Sequence, residues 1–192
     1  MPASASQPPR AEVYNPTSHV GGVVRGVSSE HPNAVLEAGD AAPDFDLPAL
    51  VGGVKKRFHL GDELGHGNVV LAFYPFNWES VSARQMVAYR SERERLVASN
   101  AKVVGVCVDS IMNTTEWERE IGPFDFPLCS DFWPHGEVSR SYGVLREGEP
   151  HAGASDRTVF VIDRVGKIAF RKRYGLDELP PISEALEALH AL

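Results

Sequence analysis

Val69-Val70-Leu71-Ala72-Phe73-Tyr74, ended by Pro75, is a nearly continuous apolar run. A run of that length, rich in branched and aromatic residues and stopped by proline, suits a strand buried on both faces, as at the centre of a parallel sheet. The segment after it changes period. From Ser82 to Ser99 the chain places Met86, Tyr89, Arg93 and Leu96 at helical spacing, with Glu92, Glu94 and Arg95 on the other face.

The same alternation continues outward. Val103 to Val108 is a second buried strand, closed by Asp109-Ser110. A short helix is predicted over Thr114 to Ile121, with Thr114 or Thr115 as its cap, then a short strand over Phe126 to Cys129. Ser130 to Tyr142 reads as a polar loop running into a helical turn. Arg157 to Asp163 and Ile168 to Tyr174 read as a hairpin turned by Arg164-Val165-Gly166-Lys167, and Ile182 to Leu192 as a terminal amphipathic helix. Upstream, Gly39 to Pro43 opens a Phe45, Leu47 alternation of the edge-strand kind. The order β-α-β-α-β, then a hairpin and a last helix, predicts an α/β thioredoxin-like fold: a central mixed sheet flanked by helices, with right-handed crossovers.

Residues 1–37 are rich in Ala, Ser, Pro, Gly and Val without a sustained period, and read as a flexible N-terminal tail. The folded domain is expected over residues 38–192. A net charge of -7 argues against a nucleic-acid surface. No apolar run approaches the roughly 20 residues needed to cross a bilayer, and the N-terminus lacks a secretory pattern. With only Cys107 and Cys129 present, a cytoplasmic protein without a disulfide framework is expected.

Several segments together resemble the alkyl hydroperoxide reductase and thiol-specific antioxidant family, the peroxiredoxins. These are Gly39-Asp40-Ala41-Ala42-Pro43-Asp44-Phe45, Leu71 to Trp78, Ser130 to Gly136 with Tyr142-Gly143-Val144, and Arg157 to Asp163. In that family the loop after the central strand carries a proline, then a threonine or serine, then a cysteine at the first turn of a helix. An arginine from a later strand lies nearby. The helix N-terminus and the arginine hold the sulfur as thiolate. The thiolate attacks peroxide and becomes a sulfenic acid, which another thiol reduces.

Carried onto this chain, Pro75 matches the proline and Arg157 the arginine, while Glu79 stands at the threonine position and Ser82 at the peroxidatic cysteine. Serine is not ionised at neutral pH without a dedicated base, and its oxygen has no sulfenic acid counterpart. The resemblance therefore implies an antioxidant scaffold whose thiol-peroxidase activity is lost, with a Glu79–Arg157 ion pair expected in place of the thiolate. Because Glu79 to Arg84 departs from the family pattern at several positions, divergence explains it better than one substitution.

A serine hydrolase would need a histidine base held by a third group, and neither His66 nor His135 offers that. Cys107 and Cys129 sit near the ends of strands expected to be parallel neighbours. They read either as buried apolar residues or as a relocated redox pair. His59, His66 and His151 are expected to be solvated, and Met86 and Tyr89 to be core. No cofactor or metal is expected. Expected partners are a second copy, as a homodimer or higher homo-oligomer, and a thiol reductant or an active peroxiredoxin. The rival roles are an active redox protein using Cys107 or Cys129, and a structural or chaperone-like oligomer.

Overall fold

A computed structural model describes residues 35–192. The proposed tail over residues 1–37 therefore lies almost wholly outside the described residues. The central apolar run forms β3 (Asn68–Phe73), in which every residue after Asn68 is buried. Beside it run β4 (Ala101–Cys107) and β5 (Leu128–Ser130), both parallel to it in direction. On its other side lies the antiparallel hairpin β6 (Thr158–Ile162) and β7 (Ile168–Arg173).

β1 (Asp46–Val51) and β2 (Val54–His59) complete a seven-stranded mixed sheet in the order β2-β1-β5-β4-β3-β6-β7. Here the structure corrects the edge-strand expectation. β1 is internal, between β2 and β5, and β2 is the edge. A two-residue turn at Gly52-Gly53 joins them, with both φ angles positive (56° and 76°), a conformation that glycine adopts without strain. β2 escapes sequence reading because Val54, Lys55, Lys56 and Arg57 are all exposed, so no alternation marks it. Charged side chains on such an edge resist pairing with a foreign strand.

Alternation along the strands makes two cores. One face packs Val70, Ala72, Tyr74 and Val103 against Met86, Tyr89, Leu96, Trp117, Leu186 and Leu189. Those side chains come from α1 (Ser80–Ser91), α2 (Arg93–Ala98), α3 (Ile111–Ile121) and α5 (Ile182–His190). The other face packs Leu71, Phe73, Val104 and Phe160 against Val138, from α4 (Glu137–Ser141), and Tyr142 just beyond it. Met86 and Tyr89 are core residues, as expected.

Two of the helices read from the sequence differ in the structure. The segment from Ser82 to Ser99 is two helices, broken at Glu92, and the first begins two residues earlier at Ser80. The third helix is capped by Ser110, whose side chain accepts from the Asn113 N–H, and not by Thr114 or Thr115. Both threonines lie inside the helix and turn their hydroxyls back to carbonyls one turn earlier, at Ser110 and Ile111.

Candidate active site

The central strand ends at Phe73, and the buried Tyr74 and Pro75 lead into the loop that starts α1. Trp78 in this loop has φ 63°, uncommon for a bulky residue. Its indole N–H donates to Asn113 Oδ1 (3.1 Å), which also accepts from the buried Asn77 side chain (2.9 Å). The Asn77 N–H donates to Asp109 (2.7 Å). These bonds hold the loop against α3 and deliver Glu79 to the N-cap of α1.

Glu79 does two jobs there. Its Oε1 accepts from the Val81 N–H (2.7 Å) and its Oε2 from the Ser82 N–H (2.6 Å), which satisfies two of the helix's unpaired donors. The same Oε2 accepts from the Ser82 hydroxyl (2.9 Å) and from Arg157 Nη2 (2.8 Å). Glu79 is about a third exposed, whereas the Arg157 side chain is fully buried. The expected Glu79–Arg157 pair is thus present, and Ser82 lies between its members.

Arg157 uses its whole fork. Nη1 donates to Gln85 Oε1 (2.8 Å) and, more weakly, to Ser82 Oγ (3.4 Å); Nε and Nη2 both reach the Leu176 carbonyl (3.2 and 2.9 Å). The guanidinium therefore braces the first turns of α1 against the loop after β7. Gln85 and the Leu176 carbonyl were not among the sequence candidates. Gln85 left one trace, a polar residue three after Ser82 on the helix face that carries Met86 and Tyr89. A backbone carbonyl leaves none.

Burial pushes the Glu79 carboxyl up, but the bonds from Val81, Ser82 and Arg157 outweigh it and hold it below the ordinary glutamate value. Burial pulls Arg157 down, opposed by Glu79, and arginine starts far enough above neutrality to stay charged. A carboxylate held ionised in this way is a poor base toward Ser82. The Ser82 hydroxyl already donates to Glu79, and among the described residues no histidine contacts it. The pocket is an anion–cation cluster in which the Glu79 carboxylate faces the Arg157 guanidinium and the Ser82 hydroxyl lies between them.

The two cysteines do not form a pair. Cys107 packs in one core and Cys129 in the other, on opposite faces of the sheet, although their strands are parallel neighbours as expected. Both are free and buried. Burial raises the Cys107 thiol to about 12 and the Cys129 thiol well above its ordinary value, so neither is poised as a thiolate.

His59 is less solvated than its sequence context implies. Nε2 meets Asp44 (2.8 Å) and Nδ1 meets Asp62 (3.0 Å), and these contacts raise its pKa. His151 packs its ring edge-on against Phe76 at 5.0 Å between centroids. Among the described residues no group of three or more His, Cys, Asp or Glu is placed to hold a metal ion, and no helix is long and apolar enough to cross a membrane.

The comparisons agree with this frame. The AhpC/TSA family model matches residues 38–171. Alkyl hydroperoxide reductase E of Mycobacterium tuberculosis is 33% identical over 136 residues, covering 71% of this chain and 84% of that protein. Peroxiredoxin-2 of Mus musculus is 32% identical over 164 residues, covering 81% and 78%. Among solved structures, peroxidoxin BcpB from M. tuberculosis superposes with a TM-score of 0.69 at 27% identity, covering 82% of this chain and 98% of that one. A reduced 2-Cys peroxiredoxin from Plasmodium vivax shares the fold with a TM-score of 0.74 at 24% identity, covering 80% of each chain. A thioredoxin-like sheet, the matched segments and these relatives together place the chain in the AhpC/TSA family, the peroxiredoxins.

Proposed function

We propose that this chain is a peroxiredoxin-family protein that no longer reduces peroxide at the family's standard position and keeps a binding, regulatory or oligomeric role. The observation that carries this is Glu79 Oε2, which accepts at once from the Ser82 N–H, the Ser82 hydroxyl and Arg157. By resemblance, that is where a thiolate and an incoming peroxide oxygen would need the same donors. Ser82 supplies neither thiolate nor sulfenic acid, and the carboxylate already engages the cation that would stabilise them.

Peroxide consumption with a thiol reductant tests this, on the parent chain, on Ser82→Cys, and on Ser82→Cys with Glu79→Thr. The parent is expected to be inactive, Ser82→Cys to remain so, and the double variant to gain activity. Peroxide turnover by the parent that disappears in a Cys107→Ser/Cys129→Ser variant overturns the proposal in favour of a relocated thiol site. Assembly with a second copy belongs to the same reading. Light scattering on the purified full chain at micromolar concentration checks it, and a monomer there removes that part.

A further inference from the structure

On the other side of Arg157 in the chain, Asp156 builds a second polar cluster. Its side chain is 8% exposed, and each oxygen takes one guanidinium: Oδ1 accepts from Arg146 Nη1 (2.5 Å), and Oδ2 forms an ion pair with Arg173 Nη2 (2.9 Å). Arg146 is fixed further by Nε donating to the Pro150 carbonyl (3.0 Å). The two guanidiniums, with Arg140 from α4, line a cavity of about 370 Å³ between α4, the segment after it and the end of β7. That volume lies toward the small end of ligand sites, which run from roughly 300 to 1,000 Å³.

Donors exceed acceptors in this cavity. One buried carboxylate is shared by two arginines, and the Arg140 side chain has no hydrogen-bond or ion-pair partner among the described residues. Nη2 of Arg146 and Nε and Nη1 of Arg173 likewise have none. Glu147 and Glu149 also line the cavity, but both are exposed to solvent, and Glu149 already accepts from the His151 N–H (3.2 Å). Arg140 and Arg173 are exposed as well, the latter by 58%, whereas Arg146 is only 16% exposed against the buried Asp156 and is the guanidinium that water screens least.

We propose that this cavity binds a small oxyanion, a phosphate or carboxylate group, through Arg140, Arg146 and Arg173. Guanidiniums suit this ligand because their N–H groups are planar, fixed and permanently charged. The pair with Asp156 holds two of the three in place before the ligand arrives, so little side-chain freedom is lost on binding. This site is independent of the reading of Ser82 and stands or falls separately.

Calorimetric titration of the full chain with inorganic phosphate, and separately with acetate, tests it, with ionic strength held constant by sodium chloride. Saturable binding of either anion is expected, and the one that binds identifies the group. Arg140→Gln with Arg173→Gln is expected to weaken binding about tenfold or more, the loss of one to two charge-assisted contacts. Arg140→Gln alone removes no contact within the described fold and keeps the test valid if the double variant does not fold. An Arg95→Gln control, at an exposed ion pair on α2, is expected to bind like the parent. Absence of saturation with both anions overturns the proposal, as does binding unchanged in the arginine variants or equally weakened in the control.

Discussion

Arg157 Nη2 donates to Glu79 Oε2 at 2.8 Å across 78 residues of sequence, and it does so from a side chain with no solvent exposure. One carboxylate thereby caps a helix, receives the Ser82 hydroxyl and neutralises a buried cation. Removing it disturbs all three.

Glu79→Ala is therefore expected to destabilise the fold by about 2–4 kcal/mol. Loss of a cap costs about 1 kcal/mol, and stranding a buried charge costs several, moderated here because Glu79 is a third exposed. Glu79→Gln keeps an acceptor at the cap and should lose less. Urea unfolding of both variants measures this, and a change below about 0.5 kcal/mol for Glu79→Ala contradicts it.

Acid should erase the same contribution. The folded carboxyl titrates below its unfolded value of 4.5. Its stabilisation is then fully present above that value and is lost as pH falls through the lower, folded one. Asp109 and Asp131, whose pKa values burial raises, act in the opposite sense over acidic pH, because their contribution falls as pH rises. The comparison that isolates Glu79 is parent against Glu79→Gln. The stability gap between them is expected to shrink on going from pH 6 toward pH 3.

Arg157→Lys preserves charge but not the fork. A single ammonium cannot reach Glu79, Gln85 and the Leu176 carbonyl with the spread that a planar guanidinium provides. The expected cost is about 1–3 kcal/mol, from buried acceptors left unsatisfied. Hydrogen exchange should rise together in the first turn of α1 and in the loop at Leu176. A rise in one segment alone would mean that Arg157 does not brace them.

Thiol reactivity follows from burial. At pH 8 both cysteines are expected to react slowly with a chromogenic disulfide reagent in the folded protein and rapidly in urea, since thiolate is the reacting species. A mild oxidant should leave the intact chain without an internal disulfide, because the two sulfurs face different cores. A fast-reacting thiol in the folded state would revive Cys107 or Cys129 as a redox site.

Much of the fold was legible because strongly patterned segments carry their own burial. The run from Val69 to Tyr74 announces a central strand, and the hairpin turn at Asp163 to Lys167 fixes its neighbours' direction. Where exposure hides the pattern, reading failed. β2 offers four exposed residues in succession, and the break at Glu92 falls within a stretch that is helical on both sides. The cap at Ser110 was missed because two threonines further on are equally good cap residues, and only the backbone path selects among them.

By itself the sequence determined the class of fold, and it set a hydroxyl at Ser82, where the family resemblance implies a thiol. Residue type and order suffice for these, since strand burial, helix period and the chemistry of oxygen against sulfur are local properties. Tertiary structure alone decided that Glu79 shares one oxygen among a helix end, a hydroxyl and a guanidinium, that Gln85 and Leu176 complete the brace, and that Cys107 and Cys129 lie back to back. Such relations depend on distances between residues far apart in the chain, and on which face of a strand a side chain takes once its register is set.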